Sequence, residues 1–373
     1  MNHYLFSTIR RGMGLSKEAL AFTEEELADL YRFAAKQSLL PIVWQGIKEL
    51  DISSEWKQRF DTGCAKDVRA YVLRSYSLGQ IREALDGVGI PYILLKGSVI
   101  CELYPEPWMR TSCDIDILVH EEDLNKAVET IEAKTEYKTE KKAYHDVSML
   151  SQYFHLELHF NIKENSEKID KLLSEVWEFA EPTGAGAQYA LTPEYQIFHV
   201  VAHMCHHFLH GGLGIRPFVD LWLLRKKTQY DEERVRQMCD SCGLLKFYEA
   251  SSKLAACWME NEPAEGELES FENCCLQGGV FGSRQQANAI RQKNKKGLGY
   301  LLSRVFIPDY NAREFYRDKS GKEHGYLYYQ IKRWKSWLGK DRREELRKQT
   351  RAVLTTDGKA IAATQNLMKW LEL

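Results

Sequence analysis

The sequence predicts an α+β protein in which a small mixed β-sheet core lies between two helical regions. Apolar residues follow the 3.6-residue spacing of helices across residues 1–88, change to the two-residue alternation of strands within 89–185, and return to helical spacing over 186–373. Glycine-containing turns mark both changes. We therefore expect an N-terminal helical segment, a sheet core and a C-terminal all-helical domain with these boundaries.

The N-terminal segment shows two clear helices. Thr23 and Glu26 have the spacing of a capping box, in which each side chain bonds to the backbone of the other residue. Apolar residues then keep helical spacing over 27–40, and a longer helix is predicted over 53–85. This segment shows no catalytic cluster, so we expect it to pack against the sheet.

The core begins with the apolar run 91–95, a predicted buried strand that leads into Lys96, Gly97 and Ser98. The residues from Ser98 to Tyr104 fit a short helix, whose first backbone N–H groups would favour an anion. Lys96 could bind that anion, or it could simply reach solvent, as lysines at strand ends often do.

The next strand, predicted over 114–119, carries Asp114 and Asp116 on one side and Ile115 and Ile117 on the other. Two carboxylates this close repel each other unless a cation lies between them. Oxygen ligands suit a hard dication, and Mg²⁺ is favoured where phosphates complete its shell. The alternation therefore predicts a site for a metal ion and a phosphate.

A later alternating run, 154–160, places His155, Glu157 and His159 opposite its apolar residues. If the apolar side packs on the core, Glu157 lies on the same side of the sheet as the two aspartates. The other elements expected in the core are a helix over 121–134, strands over 137–142 and 147–150, and a helix over 165–181.

The Lys-Gly-Ser turn and the Asp-x-Asp strand resemble the polymerase β-like nucleotidyltransferase superfamily. Tyr104-Pro105 and Arg110 between them resemble an uncharacterised bacterial family within it. The resemblance implies that two carboxylates on this strand and a third on a later strand bind metal ions. It also implies that the third carboxylate accepts a proton from the attacking hydroxyl. The implied metal-binding and catalytic residues are Asp114, Asp116 and Glu157, with Asp146 in reserve for Glu157, and the implied nucleotide-binding residues are Lys96, Gly97, Ser98 and Arg110. Arg110 could instead pair with Glu102 or Glu106.

A helix predicted from Thr192 carries five histidines, at positions 199, 203, 206, 207 and 210. Zinc binding is one interpretation, although zinc sites usually take ligands from more than one element. The Gly-Gly-Leu-Gly-Ile-Arg-Pro run that follows resembles a second signature of the same family, which implies that His203 and Arg216 contact the nucleotide. Alternatively, Arg216 and Asp220 could form an ion pair, because they lie four residues apart.

The composition, with 44% hydrophobic and 28% charged residues, is that of a globular protein. No apolar run is long enough for a membrane helix, and the nine cysteines occur without a secretory pattern, so we expect a cytoplasmic protein with reduced thiols. Residues 284–351 contain 19 lysines or arginines and 7 acidic residues. This basic segment could bind an anionic substrate or nucleic acid, or it could be a solvated helical surface.

The predicted function is a Mg²⁺- or Mn²⁺-dependent transfer of a nucleoside monophosphate from a nucleoside triphosphate, with AMP from ATP the favoured case. The expected acceptor is a hydroxyl group of a small molecule or a protein; nucleic acid is less favoured, and no membrane partner is expected. One alternative is a catalytically idle, nucleotide-binding regulatory protein with the same fold. Another is a metalloenzyme built on the histidine helix.

Overall fold

The computed structural model describes residues 2–142, 145–164, 166–279, 289–290, 326–336 and 358–373. The fold is α+β, as predicted. Most of the basic segment lies outside the described residues. Within the described part of the chain, no helix has both the length and the apolar character needed to cross a membrane.

The described part of the chain forms seven strands and fourteen α-helices, and the last two strands were not expected from the sequence. The strands are β1 (Tyr92–Leu94), β2 (Asp114–Val119), β3 (Lys138–Lys142), β4 (Asp146–Leu150), β5 (His155–His159), β6 (Ala180–Pro182) and β7 (Gln188–Leu191). The helices are α1 (Asn2–Gly12), α2 (Glu24–Lys36), α3 (Leu40–Ile47), α4 (Ser54–Asp86), α5 (Gly97–Ile100), α6 (Leu124–Lys134), α7 (Glu167–Leu173), α8 (Pro193–His210), α9 (Arg216–Lys227), α10 (Glu232–Ser241), α11 (Leu245–Glu260), α12 (Glu267–Gln277), α13 (Tyr326–Ser336) and α14 (Gly358–Trp370). The capping box at Thr23 is confirmed.

The strands form one mixed seven-stranded sheet in the order β3-β4-β5-β2-β1-β7-β6. β2 is parallel to β5 and antiparallel to β1, and β1 is parallel to β7. The prediction of one helix over 165–181 is wrong, because α7 ends at Leu173 and β6 begins at Ala180. The glycines at 184 and 186, both with positive φ, make the turn of the β6–β7 hairpin, so the sheet continues to Leu191.

The two faces of the sheet have different partners. On one face, the apolar side chains of β2 and β5 are fully buried against α4 and α6. The other face carries the polar side chains of these strands and lies beneath α8 and α9, whose residues share a cleft with them. The alternation of β2 and β5 therefore separates a dry core from a polar site.

Helix α1 and the residue that follows α2 contact the C-terminal helices. Phe6 of α1 stacks on Trp258 of α11 with 4.7 Å between the ring centroids. Gln37, directly after α2, accepts a hydrogen bond from the N–H of Ile215 at 3.1 Å and donates one to the carbonyl of Gly278 at 3.0 Å. The expectation of packing against the sheet holds for α4, whereas α1 contacts α11 and Gln37 contacts the residue before α9.

Candidate active site

The carboxylates of β2 and β5 lie side by side. In the parallel register of these strands, Asp116 is opposite Glu157 and Asp114 is opposite His155. Residues opposite each other on neighbouring strands point to the same face of a sheet. The expected shared face of Asp114, Asp116 and Glu157 is therefore confirmed, although their roles are not tested by this geometry.

Two cationic side chains balance the charge of the buried Asp116. Lys96 Nζ lies 3.7 Å from Asp116 Oδ1, and His159 Nε2 donates a hydrogen bond to the same oxygen at 3.0 Å. His159 Nε2 is also 3.5 Å from Glu157 Oε2, so its imidazole bridges both carboxylates. Burial lowers the pKa of His159, but these hydrogen bonds raise it more, to about 9. Burial raises the pKa of Asp116, but Lys96 and His159 bring it well below its usual range.

Lys96 occupies the tight turn between β1 and α5. Its backbone φ of 43° lies in the left-handed region, which residues other than glycine rarely adopt. Strained backbone of this kind is concentrated at functional sites. Burial lowers the pKa of Lys96, but Asp116, Glu164 and Glu157 together raise it more, so that the pKa exceeds its usual value and the ammonium group stays charged.

Arg110 is anchored to α9. Its Nε and Nη2 donate to the two carboxylate oxygens of Asp220 at 2.9 and 2.8 Å, and the Tyr104 hydroxyl donates to Asp220 Oδ1 at 2.7 Å. All three side chains are buried. Burial lowers the pKa of Arg110, but Asp220 raises it well above its usual value. Asp220 therefore pairs with Arg110, and not with Arg216 as the four-residue spacing also allowed.

Arg216 is the cation in this site that lacks a carboxylate partner among the described residues. Its Nη1 donates to the carbonyl oxygen of Thr111 at 2.7 Å, and its buried Nε has no hydrogen-bond partner. Burial, and then the nearby Arg110, lower the pKa of Arg216. A desolvated guanidinium group that forms no ion pair is well suited to an anionic ligand.

Gly97 is the point where the turn after β1 comes closest to Arg110. A Cβ at this position would lie 2.5 Å from Arg110 Nη1 and 3.0 Å from Ser112 Oγ. The helix that begins here is shorter than expected, since α5 ends at Ile100 and a 3-10 turn follows over Cys101–Leu103. The N–H of Ser98 donates to the carbonyl of Leu95 at 3.2 Å, so this group has a partner within the turn.

Gly97→Ala is expected to destabilise the protein by about 1–3 kcal/mol, because the methyl group must displace a guanidinium group that Asp220 holds in place. The measurement is the free energy of unfolding in urea. The matched control is Gly79→Ala in α4, where a Cβ would meet no atom within 4 Å. The free energy of unfolding of the control is expected to rise by up to about 1 kcal/mol, because alanine favours a helix more than glycine does. Equal stability of the two variants would contradict the close approach of Gly97 to Arg110.

The residues described so far surround a cleft of about 260 Å³ between the sheet and helices α8 and α9. The sequence-predicted residues that line it are Lys96, Gly97, Arg110, Asp114, Asp116, Glu157, His203 and Arg216. Ser98 is not among its lining residues. The structure thus brings together residues from the turn after β1, from β2 and β5, and from two helices of the C-terminal region.

The histidines of α8 are held by Glu164 and by one another. His203 Nδ1 lies 2.7 Å from Glu164 Oε1, and His206 Nδ1 lies 2.8 Å from the Glu164 carbonyl oxygen. Both nitrogens carry the hydrogen, because these oxygens only accept. His207 Nε2 lies 2.9 Å from His203 Nε2. In the described part of the chain, the histidines of α8 form no group spaced to bind a metal ion, so the zinc interpretation has no support.

Three side chains on the sheet are spaced so that they could bind a metal ion. Ligand atoms of Asp116, Glu157 and His159 all lie within 4.8 Å of one another. Asp114, a predicted ligand, is outside this group, and its Oδ1 accepts a hydrogen bond from Ser112 Oγ at 2.9 Å. The group combines two carboxylates with one imidazole, a donor set compatible with Mg²⁺ and better matched to Mn²⁺.

The sequence prediction gave no site role to His159, Glu164 or Ser112, and it did not pair Asp220 with Arg110. The signal for His159 was present, since the alternation of β5 puts it on the same face as Glu157. Glu164 and Asp220 reach the site from other elements, and their partners are 39 and 110 residues away in the chain. No local pattern could have found these contacts.

The part of the chain that forms this site matches a known family. A family described as uncharacterised nucleotidyltransferases matches residues 23–260, which include all seven strands and the helices that line the cleft. The chain belongs to this nucleotidyltransferase family. A comparison with curated proteins found no match. Membership of the nucleotidyltransferase family supports nucleotidyl transfer as the general activity, with a nucleoside triphosphate as substrate.

Proposed function

We propose that the cleft binds a nucleoside triphosphate together with a divalent cation and transfers the nucleoside monophosphate to a hydroxyl group. The observation that carries this proposal is the register of Asp116 and Glu157, which holds two carboxylates together in a cleft that also contains Lys96 and Arg216. Adjacent carboxylates suit a dication, and fixed cations suit phosphates. ATP is the proposed donor, and the acceptor is a small molecule or a protein.

The proposed ligands of the dication are Asp116 and Glu157, joined by His159 Nε2 when the dication takes the place of the hydrogen on that nitrogen, with Asp114 as a further oxygen ligand at the cleft wall. The donor set supports the fit, because two carboxylates and an imidazole nitrogen meet within ligand distance. When bound, Mg²⁺ or Mn²⁺ stabilises negative charge on the phosphates and on the leaving group. Lys96 and His159 balance the charge of Asp116 in the protein itself.

Arg216 and Lys96 are the residues that we assign to the phosphates. Arg216 has donors free of any carboxylate among the described residues, and Lys96 is charged and mostly buried beside the metal ligands. Arg110 has two of its three nitrogens bound to Asp220, so we assign it a positioning role beside Gly97. His203 lies between the cleft and Glu164 and could contact the nucleotide.

In the proposed reaction the acceptor oxygen bonds to the α-phosphorus, and its proton passes to the carboxylate of Glu157. The bond between the α-phosphorus and the oxygen that bridges to the β-phosphate breaks, and pyrophosphate leaves with that electron pair. The hydrogen bond from His159 lowers the pKa of Glu157, so this carboxylate is ionised and can accept the proton. With 31% of its side chain exposed, against 7% for Asp116, Glu157 is also the more accessible of the two.

Glu157→Gln tests this assignment. The variant is expected to lose about 100- to 10,000-fold in turnover, the usual contribution of a positioned base. Turnover is measured as pyrophosphate released from ATP with Mg²⁺ and a small-molecule extract as acceptor. The control is Asp146→Asn, because Asp146 lies opposite His159 in the same sheet but bonds to His145 and lines no part of the cleft. Equal losses in both variants would contradict the choice of Glu157.

His159→Gln tests the proposed nitrogen ligand. In the wild-type protein, bound Mn²⁺ is expected to show coupling to a ¹⁴N nucleus in pulsed electron paramagnetic resonance. The variant is expected to lose this coupling and at least about tenfold in Mn²⁺ affinity, since even outer-shell partners contribute about 10- to 100-fold. The control is His155→Gln, two residues away on β5, where the imidazole bonds to Ser148 Oγ at 2.6 Å. Nitrogen coupling that survives in His159→Gln would exclude His159 as a ligand of Mn²⁺.

A further inference from the structure

A second chamber opens beside the cleft, between β5 and α8. It has a volume of about 190 Å³ and shares Lys96, Glu157, His203 and His207 with the cleft. Its remaining lining residues are His145, His159, Ile162, Lys163, Glu164, His199 and His206. Because Glu157 lines both spaces, a molecule in this chamber would lie next to the base proposed for the transfer.

Two buried imidazoles in this chamber have nitrogen atoms without partners. His159 and His199 are 4% and 2% exposed, and neither His159 Nδ1 nor His199 Nε2 has a hydrogen-bond partner in the structure. Burying a polar atom without a partner is costly, so native proteins seldom leave one unsatisfied. Two such atoms at one cavity indicate a polar ligand that bonds to them.

The histidines of the chamber favour a ligand with hydroxyl groups. Burial lowers the pKa of both His199 and His207 to about 3, so these imidazoles are neutral at pH 7. A neutral imidazole has one donor and one acceptor, and a hydroxyl group also offers both. A phosphate or carboxylate only accepts, so it could bond to His159 Nδ1, which carries a hydrogen in the charged imidazole, but it would leave the acceptor nitrogen of a neutral imidazole such as His199 unsatisfied.

Charge and size narrow the ligand further. The two carboxylates that line the chamber, Glu157 and Glu164, are offset by the basic side chains of Lys96, His159 and Lys163, so the lining favours neither an anion nor a cation. A volume of about 190 Å³ is below the roughly 300–1,000 Å³ of pockets for drug-sized ligands. The space therefore suits one ring of the size of a monosaccharide, and it does not suit a folded protein segment or a nucleic acid strand.

We infer that this chamber is the acceptor site and that the acceptor is a small, uncharged polyol of the sugar or cyclitol class. The inference rests on the proposed function, because it uses the same transfer. One hydroxyl oxygen of the polyol bonds to the α-phosphorus, its proton goes to Glu157, and pyrophosphate leaves. Other hydroxyl groups of the ring bond to His159 Nδ1 and His199 Nε2.

The test measures the NMR resonances of the imidazole nitrogens. Protein with ¹⁵N-labelled histidine, in the presence of Mg²⁺ and a non-hydrolysable ATP analogue, is titrated separately with glucose, myo-inositol, glucose 6-phosphate and oligoadenylate. At least one of the two neutral polyols is expected to shift the resonances of both His159 and His199. Glucose 6-phosphate and oligoadenylate are expected to leave them unchanged.

Variants give the test its control. His199→Gln is expected to weaken polyol binding by at least about tenfold, which corresponds to the loss of about 1.4 kcal/mol. His210→Gln, on the same helix but exposed and outside the chamber, is expected to bind as the wild type does. If His199→Gln fails to fold, the wild-type titration still decides, because it needs no variant.

Three results would overturn the inference. The first is that neither neutral polyol shifts the resonances of the two imidazoles, and the second is that the phosphorylated sugar shifts them equally; either outcome excludes this ligand class. The third is polyol binding without any Mg²⁺-dependent stabilisation by ATP, which removes the acceptor role. A stabilisation by ATP without polyol binding would overturn the inference alone and leave the proposed function standing.

Discussion

Asp116→Asn is expected to reduce nucleotidyl transfer by about a thousandfold or more. The side chain is buried at the point where Lys96, His159 and Glu157 meet, and asparagine keeps its shape while removing its charge. A metal ion contributes several kcal/mol to transition-state stabilisation, and about 1.4 kcal/mol corresponds to tenfold in rate. The measurement is the rate of pyrophosphate release from ATP, over a range of Mg²⁺ concentrations.

The control for this variant is Asp123→Asn, which removes one carboxylate from the turn after β2, away from the cleft. It is expected to keep wild-type turnover. Asp116→Asn should remain folded, with a modest loss of stability. Glu157 still offsets the charge of Lys96, and His159 can still donate to the amide oxygen. A folded Asp116→Asn protein with wild-type turnover would contradict the assignment of the site.

Asp220→Ala is expected to cost about 3–5 kcal/mol of unfolding free energy, the usual result of removing one partner from a buried ion pair. The substitution leaves the guanidinium group of Arg110 and the hydroxyl of Tyr104 buried without their acceptor. This contact also joins the loop before β2 to α9, so its loss should loosen the cleft as well. Urea unfolding measures the free energy.

A surface ion pair on the same helix gives the matched control. Lys226 of α9 lies 2.7 Å from Glu260, with 54% of its side chain exposed. Lys226→Ala is expected to cost at most about 1 kcal/mol, because exposed pairs gain little over hydration. The double variant Arg110→Met/Asp220→Leu should recover much of the stability lost by Asp220→Ala, since it leaves no unpaired charge. Equal costs for Asp220→Ala and Lys226→Ala would contradict the buried pair.

The local patterns of the sequence were enough to predict the strands that carry the carboxylates. The alternation around Asp116 and around Glu157 fixes which side chains leave the core, and the apolar residues between them fix the opposite face. For the carboxylates to share a face, β2 and β5 then need only pair in register. Much of the fold class and the shared face of the carboxylates could therefore be predicted.

Contacts between distant segments could not be predicted in the same way. The four-residue spacing of Arg216 and Asp220 suggested a pair, but Asp220 bonds to Arg110 because α9 packs over the loop before β2. This pairing depends on how the helices cover the sheet, which no window of neighbouring residues encodes.

The central claim is tested most directly by following the α- and γ-phosphorus of ATP separately. Wild-type protein is incubated with ATP labelled at one or the other position, Mg²⁺ or Mn²⁺, and the small-molecule fraction of a cell extract. The account predicts that the α-label enters a new product while the γ-label leaves in pyrophosphate, and that both events require the dication and Asp116. A γ-label in the product would mean phosphoryl transfer. ATP that binds with the dication while neither label moves would instead identify an idle nucleotide-binding protein, and either result would contradict nucleotidyl transfer.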